Sequence, residues 1–149
     1  MQYSEEDIQW LDSAVELIRS RPDMFLRGGF NASDVAGRLA GDALIIGASQ
    51  IVITRFAAWH IVSADVDWLS AQPSCNVEPR EAFFQIVAFP EAGVNSMRSE
   101  VLLTAFGSRV ISASSRERLY IKGDVEPDDE VWSQMCPQGM QRSIALQGN

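Results

Sequence analysis

Arg38 and Asp42 stand four residues apart in GRLAGDALII, and Asp65 and Asp67 bracket one valine in SADVDWL. Four-residue spacing puts the first two on one helix face, where an exposed ion pair contributes about 0.3 kcal/mol. Five more acids crowd GDVEPDDE (123–130), among them Asp128, Asp129 and Glu130, and this run reads as a solvated loop. Trp68 and Trp132 each sit beside acidic residues. An exposed aromatic rimmed by acids has the composition of a protein-binding hot spot. The competing reading is that both rings close over the core.

Other chemistries find little support. The one histidine, His60, falls inside a strand pattern and cannot supply a two-histidine metal site. Cys75 and Cys136 are far apart and neither belongs to a C-x-x-C pair, which argues against structural zinc and against a disulfide framework. Nothing near Cys75 in sequence would lower a thiol pKa. The chain contains no G-x-x-x-x-G-K-[ST], no G-x-G-x-x-G and no G-x-S-x-G. A helix beginning at Ser96 would offer only a generic anion site, and Arg98 beside it reads as a surface arginine.

The elements that must hold these residues follow from periodicity. Ser4 can cap a first helix with Ile8, Leu11, Val15 and Ile18 on one face, ended by Arg21-Pro22 because a residue before proline avoids helical angles. A second helix starts at Ser33, buries Val35, Leu39, Ala43 and Ile46, and stops at Gly47. QIVITRF (50–56) and WHIVSA (59–64) pair as a hairpin across Ala57-Ala58. EPREAFFQIVAF (78–89) reads as a helix ending at Pro90, and Ser96 to Phe106 as another. RVISASS and RLYIKGD form a second hairpin (109–124), and RSIALQ (142–147) a last strand. This order implies an α+β two-layer sandwich, a mixed β-sheet covered on one face by helices.

With 149 residues the chain reads as a single domain spanning 1–149. Its net charge of −8 would be repelled by phosphate backbones, so a nucleic-acid partner is not expected, whereas a basic protein is admissible. It carries no basic-then-apolar leader and no apolar run near 18 residues, which predicts a soluble, cytoplasmic protein without a membrane partner.

AVELIRSRPDMFL, GRLAGDALIIGASQIVIT, HIVSADVDWL, FFQIVAFPEAGVNSMRSEVLLTAFGSRVISASSRERLYIKGD and QGMQRSIALQ, taken in order, resemble the GHKL (Bergerat-fold) ATPase superfamily. The closest likeness is to the gyrase B subunit, and it covers about residues 14 to 147. The resemblance implies ATP and magnesium as the cofactors of an intact member. In that register the water-activating glutamate falls on Arg38 and the magnesium-holding asparagine on Asp42, with Ile45 in place of a further acid. The adenine-binding aspartate is matched by Asp65. The glycines that admit the nucleotide are replaced by Asp67 and Leu69, with Trp68 between them, and the phosphate lid is reduced to the single Gly93. A scaffold without its reactive groups implies a non-catalytic domain that binds another macromolecule, of the regulatory, inhibitor or immunity type. The expected contact residues are Arg38, Asp67, Trp68, Asp128, Asp129 and Glu130. The alternative is a divergent ATP/Mg-binding domain using Asp42 and Asp65. A homodimer through Trp10 or Leu11 is also compatible.

Overall fold

The structure, a computed structural model, describes residues 13–124 and 126–148. Helix α1 (Ala14–Ser20) is capped by Ser13, whose hydroxyl accepts from the Glu16 amide at 3.2 Å. The expected Ser4 cap, Ile8, Trp10 and Leu11 lie outside the described residues. Pro22 opens the one-turn helix α2 (Pro22–Phe25), so Arg21-Pro22 does end α1. Gly28 and Gly29 follow with φ of 82° and 88°, a backbone region that favours glycine. Helix α3 (Ala32–Ile46) starts one residue before the expected Ser33. Its cap is Asn31, whose side-chain oxygen accepts from the amides of Ser33 and Asp34.

Strands β1 (Ile51–Phe56), β2 (Trp59–Ala64), β3 (Arg109–Ser114), β4 (Arg118–Lys122) and β5 (Arg142–Gln147) form one sheet in the order β1-β2-β5-β3-β4. The α+β class stands, but the sheet is antiparallel at every pairing rather than mixed. β2 and β3 do run the same way, joined by a crossover through α4 (Glu100–Phe106). The last strand inserts between them and pairs with both, so no parallel hydrogen-bonded pair forms.

Alternation along the strands divides the core in two. Val62, Ala64, Val110, Ile144 and Leu146 face the helices and pack with Ile18, Leu39, Ala43 and Leu103. Trp59, Ile61, Ile111 and Ala145 face the other way and are covered by Val131, Trp132 and Met135. Two of these belong to α5 (Asp129–Ser133), a helix where a solvated loop was expected. Apolar burial on the second face holds it there, and the Asp128 carboxylate caps it. Helices therefore contribute to both faces of the sheet.

Two further helices differ from expectation. Residues 78–89 make only a short 3-10 turn (Glu81–Phe83), because their backbone pairs elsewhere. The Phe89 amide donates to Ser96 O, and Arg98 donates to Val87 O, both at 2.9 Å. That ladder also holds Ser96 in extended chain, so α4 begins at Glu100 after Ser99.

Candidate functional site

The end of α3, the loop after β2 and the start of α4 converge where sequence placed the chemistry. Asp42 lies on the flank of α3 that meets α4, and its carboxylate accepts from the Ser99 amide at 3.3 Å. Arg38, one turn earlier, is exposed, and among the described residues no ion pair joins the two. The expected surface pair is thus replaced by an inward contact. Burial first, and the nearby Glu100 carboxylate second, push Asp42 up to about 6.

Behind Asp42 lies a buried polar knot. Glu100 is fully buried because every face of α4 around it is packed. Arg98, also buried, meets it with Nη2 to Oε1 at 2.7 Å and Nε to Oε2 at 3.2 Å. Its third nitrogen donates to Trp68 O and to Gln72 Oε1. The Trp68 indole N–H donates to Glu100 Oε1 at 3.0 Å, and the ring is 0% exposed. Trp68 is therefore not a surface docking aromatic. It lies in the helix-side core, with its one polar atom satisfied. Arg98 is likewise a core residue rather than a surface one.

The remaining acids of the loop are also engaged. Asp65 Oδ1 accepts from the Ser49 amide at 3.0 Å, and Oδ2 from the Ser49 hydroxyl, which holds its pKa below the usual carboxylate range. Asp67 binds Arg142 through both oxygens at 2.9 and 3.0 Å, and Glu117 adds a third carboxylate oxygen at 3.1 Å. Arg142 is 1% exposed and donates its last nitrogen to Ser112. A cavity of about 440 Å³ opens beside it, lined in part by Asp67, Glu78, Arg116 and Glu117. Arg142, Glu117 and Glu100 were missed in sequence. Arg142 did leave a signal: alternation puts it on the face of Ile144 and Leu146, so a buried arginine needing acids was foreseeable.

The acidic run occupies a separate place. Asp128 caps α5, and Asp129 and Glu130 are exposed on its first turn. Glu126, Pro127, Asp128 and Asp129 rim a cavity of about 540 Å³ whose remaining wall is Arg118, Tyr120 and Trp132. Trp132 is buried, with the Arg118 guanidinium 5.4 Å from its ring centre. The second expected hot-spot aromatic is thus also a core-closing residue. The structure does not unite the expected contact residues. Asp42, Asp65, Asp67 and Trp68 cluster at the α3–α4 end, whereas Asp128, Asp129 and Glu130 gather on α5 against the opposite sheet face.

No protein-family model matches this chain, and no curated protein matches it.

His60 and Cys136 add no reactive centre. Burial and the Arg55 charge hold His60 below its ordinary range. Burial pushes the Cys136 thiol up, and it donates to Ala113 O at 3.2 Å. Both cysteines are free. Among the described residues no group of three His, Cys, Asp or Glu is placed to hold a metal ion, and no helix is long and apolar enough to cross a membrane.

Proposed function

We propose that the chain is a non-catalytic, GHKL-like domain that acts by binding another protein in the cytoplasm. One observation carries this reading. The polar groups at the positions where a nucleotide pocket needs free ones are already joined to the protein itself: Asp65 to Ser49, Asp67 to Arg142 and Asp42 to Ser99. Side chains stand where the family's two glycines would be, Asp67 tied to Arg142 and Leu69 buried in the core. Arg38 cannot take a proton from water.

A surface suited to such a partner is the first turn of α5. Asp129 and Glu130 are exposed there beside Glu126, which suits a basic protein surface. The rival reading keeps ATP and magnesium on Asp42 and Asp65. Asp42, half-buried with a raised pKa, has the character that reading needs.

Titration calorimetry with Mg-ATP separates the two. No heat of binding at millimolar nucleotide is the expected result. Micromolar binding that vanishes in Asp65→Asn would overturn the proposal. Once a partner has been isolated by crosslinking in cells, reversing Asp129 and Glu130 to lysine should weaken its binding about tenfold at low salt and much less at high salt.

A further inference from the structure

The two edges of the sheet are unlike. β4 is short, begins and ends on the cations Arg118 and Lys122, and its pairing with β3 contains a register shift. Such features blunt an edge against pairing. β1 has six residues, IVITRF, with no proline, no register shift against β2 and one charge, Arg55. Its middle four residues are exposed, and Ile53 is 50% accessible.

The turn at Ala57-Ala58 makes Phe56–Trp59 the hydrogen-bonded pair that closes the hairpin. Alternation then turns the N–H and C=O groups of Ile51, Ile53 and Arg55 away from β2, toward an edge that no strand among the described residues pairs. A flank of α3 overhangs this edge. Ser33, Gly37, Ala40 and Leu44 follow at four-, three- and four-residue steps, so they share one side of the helix. Helix α3 packs over β2 and β1, and at its start Ser33 Oγ is 3.3 Å from His60 Nε2. Leu44 is 56% exposed, and a Cβ added at Gly37 would meet nothing within 4 Å.

Charge completes the picture. The chain has 20 acidic residues, yet none occurs between Asp42 and Asp65, and Asp42 points to the opposite flank of α3. The β1 edge is free of acids and carries one cation, Arg55, on a molecule of net charge −8, with exposed Asp34 the one acid near the start of the α3 flank. An edge without acids does not attract a basic partner, and it spares a second acidic copy most of the repulsion it would meet elsewhere.

We propose that this face is a two-fold interface between two copies of the chain, with β1 pairing antiparallel to β1 about an axis at Ile53. In that register Ile53 faces Ile53, Ile51 faces Arg55 and Val52 faces Thr54. Every outward N–H and C=O of the edge is used, and Arg55 meets an isoleucine rather than its own copy. A strand of this length reaches only about 20 Å, and a stable interface buries roughly 800 Å² per partner. The α3 flanks supply the remainder, and their small residues allow helix axes to approach to about 8–10 Å.

Sedimentation velocity on the full chain from about 5 to 200 μM, with amide hydrogen exchange, tests this. The expected result is a species of twice the 16.5 kDa chain mass. Ile53→Lys sets two ammonium groups against each other on the axis, and Leu44→Glu charges the helix flank. Each should weaken association at least tenfold with circular dichroism unchanged. The Ile51, Ile53 and Arg55 amides should exchange slowly in the wild type and quickly in Ile53→Lys. A chain that stays single across the range overturns the proposal, as does a dimer indifferent to both substitutions. A single chain with those three amides protected also overturns it, since another segment of the same chain, such as residues 1–12, would then hold the edge.

Discussion

Asp42 is a residue whose charge the fold opposes. A carboxyl with a folded pKa above its unfolded one holds its proton more tightly in the native state, so stability falls as pH rises between the two values. Here that window runs from 3.8 to about 6, and the full penalty is present above it. Asp42→Asn keeps an oxygen for the Ser99 amide and removes the charge. It should raise stability by about 2 kcal/mol at pH 7.5 and by little at pH 4, which urea unfolding at the two pH values will measure. Trp68→Phe should cost about 2 kcal/mol, because the Glu100 oxygen loses a buried donor while remaining bound to Arg98. Chemical denaturation followed through the other tryptophans will report it. The residues of the site were legible as types but not as partners. Asp65, Asp67 and Asp42 were found, yet their fates depend on Ser49, Arg142 and Ser99, which lie 16, 75 and 57 positions away. Local pattern carries no such information.

Elements were legible where one period dominated. β2 and β5 fall where alternating β-branched runs put them, and α3 follows its apolar stripe to Gly47. Its start falls one residue before the expected Ser33, because the Asn31 side chain caps it by accepting from the Ser33 and Asp34 amides. Asn31→Ala should therefore cost about 1 kcal/mol and Ser33→Ala much less, readable as shifts in thermal midpoint. The stretch 78–89 was misread for a tertiary reason. Phe83, Val87 and Phe89 are buried while Phe84 and Ile86 are exposed, a pattern set by pairing with residues 96–98 and by the Gln72 side chain donating to Ala88 O. Similarly, α5 is five residues long, too short for a periodic signal, and its identity comes from Val131 and Trp132 packing on the sheet.

Across the whole molecule the polar seams run at the same end of the sheet. Arg142 ties the loop after β2 to the β3–β4 connection through Asp67 and Glu117. Arg142→Met should leave Asp67 without its counter-ion and destabilise by about 3 kcal/mol, visible as an earlier thermal transition. The antiparallel order could not be read from the chain, since helix-separated strands usually lie side by side in parallel. Only the finished sheet reveals that β2 and β3 are neighbours once removed, with β5 between them.

Strand β5 is the last element in sequence and the middle one in space. During synthesis both hairpins must therefore wait as separate halves, with Val62 and Val110 uncovered, until Arg142–Gln147 emerges from the ribosome and zips them together. A nascent chain stalled before residue 142 should be protease-sensitive throughout, and a free peptide of residues 142–148 should be able to complete it in trans.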